Sequence, residues 1–185
     1  WDNVALYYNL CDIQLNVGWV MERNGLKVDV QEAKRQIELY TPRVPIIEST
    51  FNRMAEVLHE AHPEVNYPMN PSSNADIPNF MKYAVQYEWD MSEVIPEWIT
   101  GEARATMNNT SHVVAEGQLE YTNKEALRDF DDHPATRLLM EYRKLNKTIS
   151  TYLKKWMNAR DANDYIHPSL KVDGQVLPIK TDVLG

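Results

Sequence analysis

HPATRLLMEYRKLNKTISTYLKKWMNAR, residues His133 to Arg160, decides how the rest of the chain is read. Pro134 stands where a first helical turn tolerates the missing N–H, and no Gly or Pro follows until Pro168. Leu138, Tyr142, Leu145, Ile149, Tyr152 and Trp156 recur at alternating steps of four and three residues. That spacing puts all six on one stripe of a helix over residues Ala135 to Asn158, about 36 Å long at ~1.5 Å per residue. Seven basic residues, Arg137, Arg143, Lys144, Lys147, Lys154, Lys155 and Arg160, flank the stripe against one acid, Glu141. A segment of net charge +6 inside a chain of net charge −8 suggests a surface for an anion. The solvated face of a core helix produces the same pattern, and charge alone does not separate the two.

A chain of 185 residues suffices for one domain with a real core, or for two small ones. Its 43% hydrophobic and 25% charged content, with six glycines, predicts a folded and helix-rich protein. Cys11 is the single cysteine, which excludes a disulfide framework and a thiolate metal cluster. No apolar run has the length of a membrane span, and no basic-then-apolar leader opens the sequence. The expectation is a soluble protein in a reducing, cytoplasmic compartment, with no membrane partner. The negative balance excludes whole-surface DNA binding but not a local basic strip. The chain opens on Trp1 and stops at TDVLG, so it reads as a segment of a longer polypeptide.

Residues 3–22 lack proline, carry apolar side chains from Val4 to Val20, and predict a helix stopped by Asn24-Gly25. Asp29 is the expected N-cap of a helix from Val30 to Tyr40. Pro42 and Pro45 interrupt it, and helix resumes through 46–61 with Ile46, Ile47, Phe51, Met54, Val57 and Leu58 on one side. His59 and His62 stand one residue too close for a zinc helix of the H-E-x-x-H kind, so exposed imidazoles at a helix end are expected. Asn70-Pro71-Ser72-Ser73 precedes a helix that buries Ile77, Phe80, Ala84 and Tyr87. Serines there act as caps, and they can also offer hydroxyls and N–H groups to a phosphate. Residues 90–118 predict a short helix and a polar turn. Tyr121 to Phe130 reads as a short helix capped by Thr122, with Glu125 at the capping-box position. Beyond Arg160 the chain reads as loop and extended segment. The fold class is mainly α: antiparallel helices around one elongated core, with a small extended or β piece near the C-terminal end.

EYRKLNKTISTYL, residues 141–153, resembles the long thumb helix of family A DNA polymerases, whose pattern is roughly EYR-x-L-x-K-x-x-STY. Glu141, Tyr142, Arg143, Leu145, Lys147, Ser150, Thr151 and Tyr152 match it in register. Glu22-Arg23-Asn24-Gly25, with Val28 and Asp29, resembles that family's turn into the first thumb helix. Asn70-Pro71-Ser72-Ser73 resembles the segment opening the next thumb helix, in the form common in the phage branch. Ile166, His167 and Ser169 resemble a strand beyond the thumb, and Thr181 to Gly185 approach the T-x-T-G-R segment of the family. On this resemblance, residues 1–30 are the helix and turn leading into the polymerase domain. Residues 31–160 are a thumb-like helical region with 90–118 as an insertion, and residues 161–185 begin the palm-side extended segment.

The resemblance implies part of a DNA-directed DNA polymerase of a bacterial or phage-infected cell, gripping primer–template duplex DNA through its backbone. Asn70, Ser72, Ser73, Arg143, Lys147, Ser150, Thr151 and Tyr152 are the DNA-binding positions it implies. Polymerisation is phosphoryl transfer on two metal ions held by carboxylates, so Mg2+ is expected for the whole polymerase. The palm motifs of the family, D-Y-S-x-x-E-x-R and H-D-E, do not occur here. This segment therefore carries no expected catalytic residue, metal site or cofactor, and dNTP would be met through the palm and fingers. Tyr8 and Asp12 mimic an exonuclease motif but fall too close to Glu22, and the alignment puts them on the leading helix. Few residues separate His62 from Asn70, where a thioredoxin-type clamp insert would sit, so that partner is not indicated. Asp129, Asp131 and Asp132 ahead of the long helix suit its dipole without any metal. Two other classes fit the same stripe: a non-catalytic helical module that binds DNA or a protein by itself, and a bundle that oligomerises through it.

Overall fold

The computed structural model describes residues 19–20 and 22–167. Most of the helix expected over 3–22, with Tyr8 and Asp12, lies outside the described residues, as do Ser169 and Thr181 to Gly185. What is described is mainly helical, with one two-stranded antiparallel sheet. No described helix is long and apolar enough to cross a membrane. The chain divides into two compact units, one drawn from the residues up to Glu38 and from Ile149 onward, the other Leu39–Thr148.

In the unit formed by the chain's two ends, residues 22–24 are helical and Gly25 turns at φ 70°, the left-handed stop expected of it. β1 (Leu26–Lys27) pairs antiparallel with β2 (Tyr165–Ile166), Leu26 opposite Ile166 and Lys27 opposite Tyr165. Asp29 caps α1 (Val30–Tyr40) by accepting a 2.9 Å bond from the N–H of Glu32. Among the described residues, Val28, Ala33, Ile149, Leu153 and Ile166 are its buried apolar side chains.

The unit Leu39–Thr148 holds α2 (Arg43–Ala61), α3 (Asp76–Ala84), two short helices, α4 (Met91–Val94) and α5 (Glu102–Ala105), and α6 (Pro134–Asn146). α2 and α6 pack on each other, and both touch α3 and α4. Phe51 is fully buried between them, edge-on to Phe80 at 5.5 Å and to Tyr142 at 6.2 Å. α2 starts at Arg43, not after Pro45, because Pro45 falls in the first turn, where its absent N–H is not needed. The buried stripe of α2 is Ile47, Thr50, Phe51, Met54, Ala55 and Leu58. Ile46 and Val57, expected on it, flank it and stay exposed. α3 stops at Ala84, which leaves Tyr87 exposed; Trp89 is buried, its indole N–H donating to the Ala84 carbonyl at 2.9 Å.

Residues 90–118 are folded onto this core. Val94 and Ile95 are buried, the Asn109 amide bonds both the N–H and the C=O of Trp89, and His112 N–H donates to the Val85 carbonyl at 2.9 Å. Tyr121 to Phe130 forms turns and a 3-10 helix (Arg128–Phe130) rather than an α-helix. Asn123 accepts there from the N–H of Ala126 at 2.8 Å, because the oxygens of Thr122 face a different donor.

The long helix is unbroken but not uniform. α6 passes into a π-helical stretch, Lys147–Lys154, then into α7 (Lys155–Ala159). Bonding from i to i+5 adds a residue to each turn and delays the phase of the buried face. Burial therefore runs Leu138, Tyr142, Leu145, Ile149, Leu153, and the two residues expected to end the stripe, Tyr152 and Trp156, are 39% and 40% exposed. The residues at the change, Thr148, Ile149, Ser150 and Thr151, are β-branched or carry hydroxyls that compete for backbone groups, which weakens the α preference.

Candidate nucleic-acid interface

In the Leu39–Thr148 unit the Asn70–Ser73 turn is built by its own side chains. Asn70 Oδ1 accepts from Ser72 N–H at 2.9 Å and the Asn70 carbonyl accepts from Ser73 N–H at 2.9 Å. Ser73 Oγ accepts from the N–H groups of Ala75 (3.3 Å) and Asp76 (3.2 Å), and so serves the start of α3. Ser72 Oγ lies 2.8 Å from the hydroxyl of Tyr142. Tyr142 gives its own proton to Glu48 Oε1 at 3.0 Å, so the Ser72 hydroxyl is the donor to Tyr142. This chain ties the turn to α6 and α2. Burial, first of several causes, raises the pKa of Tyr142 above its ordinary value. Asn70 and Ser72 remain exposed and Ser73 is half-buried.

Arg143, implied as a phosphate contact, is half-buried and engaged within the chain. Its Nη1 donates to the Thr122 carbonyl and its Nη2 to Thr122 Oγ1 at 2.9 Å. Burial lowers its pKa. It lines a cleft with Asn74, Pro78, Tyr121 and Asn123, so its guanidinium holds the 121–123 loop first. Lys147 is exposed on the last part of the helix that belongs to this unit.

Ser150, Thr151 and Tyr152 belong to the unit of the chain ends. All three are exposed, as are Lys154 and Lys155, and the Tyr152 ring lies 5.6 Å from that of Trp156. Hydroxyls, ammonium groups and an aromatic pair thus share one stretch of helix. In the same unit two other stretches meet. His167 Nδ1 is 2.8 Å from the Glu22 carbonyl and its Nε2 3.3 Å from Asp161 Oδ2. A Cβ on Gly25 would stand 2.9 Å from both the His167 ring and the Ile166 carbonyl, so only glycine fits this crossing. The carbonyl of Glu22, then the Asp161 carboxylate, raise the pKa of His167. The N–H of Tyr165 leads the groups that lower that of Asp161.

Three imidazoles are engaged within the Leu39–Thr148 unit. His59 Nδ1 bonds the Val65 carbonyl at 2.6 Å, and His62 stacks on Tyr83 at 3.8 Å. Among the described residues no three His, Cys, Asp or Glu side chains are grouped to hold a metal ion. His133 was not singled out in the sequence, since His before Pro is outside the usual capping set. It is fully buried, caps α6 by accepting from Ala135 N–H at 3.3 Å, and sets Nε2 3.3 Å from the Tyr87 carbonyl. That pairing selects the neutral tautomer with the proton on Nε2. Burial lowers its pKa to about 4. No protein-family model, no curated protein and no solved structure matches the chain.

Proposed function

We propose that this chain is part of a DNA-directed DNA polymerase of family A, and that it holds primer–template duplex DNA by its backbone while another part of the polymerase adds nucleotides. The reading makes the helical region an elongated thumb-like gripping element. The observation that carries it is the exposure of Ser150, Thr151, Lys154 and Lys155 on a helix whose sequence gathers seven cations against one acid. Hydroxyl and ammonium donors on a helix meet phosphate oxygens without reading base edges, which fixes register and leaves sequence unread. The side-chain amide N–H of the exposed Asn70 in the turn is a further donor of the same kind, whereas the Ser72 hydroxyl is committed to Tyr142. The meeting of Gly25 with His167 also supports the reading, because the resemblance drew on those two stretches independently.

The test is anisotropy of a fluorescent primer–template duplex titrated with the chain at low and moderate salt. Salt-sensitive binding that is lost in Lys154→Ala/Lys155→Ala is the expected result. Binding that no salt weakens, or no binding together with a stable oligomer, overturns the proposal and favours the stripe as an assembly surface.

A further inference from the structure

A cleft of about 460 Å³ in the Leu39–Thr148 unit is walled by Arg43, Trp98, Met107, Arg137, Met140 and Lys144. Of these, Trp98 and Met107 come from the 90–118 segment, to which no role attaches. Glu141 is the one acid at the cleft, and its Oε2 lies 3.6 Å from Lys144 Nζ. Arg43 and Arg137 are left without a carboxylate among the described residues. The Arg43 guanidinium rests over the Trp98 ring at 5.2 Å and the Tyr40 ring at 5.5 Å, contacts that hold a cation without neutralising it. Arg137 Nε and Trp98 Nε1 are both buried with no hydrogen-bond partner. Buried donors left unpaired in a folded protein call for a physical reason. Here they accompany an excess of positive charge within an acidic chain.

We propose that this cleft binds a small organic anion. Its phosphate or carboxylate sits between the guanidinium groups of Arg43 and Arg137, and its apolar part lies on Trp98, Met107 and Met140. A planar guanidinium matches either oxyanion with paired N–H donors, which Lys144 alone does not. Indole and thioether walls accept an aromatic or aliphatic body without demanding one shape. The cleft's size is that of a small-molecule site. None of its residues except Lys144 and Glu141 lies in the stretch matched to a thumb helix, so the site stands whether or not the chain grips DNA.

The test follows the indole N–H resonance of Trp98 in the 15N-labelled chain, identified by its loss in Trp98→Phe. Phenyl phosphate, phenylacetate, inorganic phosphate and neutral benzyl alcohol are each titrated. A saturable shift with phenyl phosphate or phenylacetate is expected, and the one that saturates at lower concentration names the head group. Arg137→Gln and Arg43→Gln should each weaken it about tenfold, the scale of a charge-assisted pair, and Lys82→Gln should leave it unchanged. No shift with either aromatic anion overturns the site. Benzyl alcohol as effective as the anions removes the role of the arginines, inorganic phosphate as effective as phenyl phosphate removes that of the apolar wall, and equal weakening by Lys82→Gln reduces the effect to general charge. The wild-type titrations decide the matter even where an arginine variant fails to fold.

Discussion

His133 gives this protein a pH dependence that its composition does not suggest. The side chain is fully buried and neutral, with a pKa near 4 against 6.5 in an unfolded chain. Between those values the unfolded state binds a proton that the native state does not, so stability falls as pH drops from about 6.5 toward 4. The full effect is about 3 kcal/mol at ~1.4 kcal/mol per unit. Urea unfolding at pH 7 and pH 5 should show the loss, and His133→Asn, which keeps a capping acceptor in the place of Nδ1 and carries no group that titrates in this range, should flatten it. An unchanged slope in that variant would assign the acid sensitivity elsewhere. Two further residues make separate demands. Tyr142→Phe removes the hydroxyl that links Ser72 to Glu48 and should cost about 1 kcal/mol by denaturant titration. Gly25→Ala meets both a positive φ, about 1–2 kcal/mol by itself, and the His167 ring, so a larger loss is expected in thermal unfolding.

At the scale of elements, the π-helical stretch decides which side chains are core and which are surface. Leu153 is 6% exposed and Tyr152 39%. Leu153→Ala should therefore destabilise by about 2–5 kcal/mol, the range for emptying a buried leucine site. Tyr152→Ala should cost far less stability and act on DNA binding instead. A uniform α-helix keeps both Tyr152 and Leu153 on the buried face and predicts comparable losses, so paired denaturant titrations separate the two phases. This is also where reading the sequence reached its limit. The Asp29 cap and the Gly25 stop were legible because each is fixed by a few neighbouring atoms. The residue at which i-to-i+4 bonding yields to i-to-i+5 was not, since apolar residues at 149, 152, 153 and 156 suit either phase. Residues 90–118 stayed opaque because their order comes from distant bonds, Asn109 to Trp89 and His112 to Val85. The polar turn at 70–73 was found as a motif. The hold of Thr122 on Arg143 was not, because it joins residues 21 positions apart.

For the whole molecule the governing quantity is charge distribution, not charge. With 27 acidic residues against 19 basic, the chain as a whole repels a polyanion. A DNA contact must therefore be local and short in range, made where cations outnumber acids. Raising salt acts on such a contact in two ways: it screens the unfavourable distant acids and removes the gain from released counterions. The second effect scales with the number of phosphates neutralised, about 0.9 in the logarithmic slope for each on duplex DNA, and the first has no such proportionality. Lys154 and Lys155 are exposed neighbours on the helix, so both can be removed without opening the core. If each neutralises one phosphate, Lys154→Ala/Lys155→Ala should reduce the steepness of log affinity against log salt by about 1.8. Substituting two exposed lysines outside the matched motifs, Lys34 and Lys82, lowers the net charge equally and should leave the slope as it was. Equal changes in both pairs would mean that the chain senses DNA through its total field, and the long helix would lose its special place.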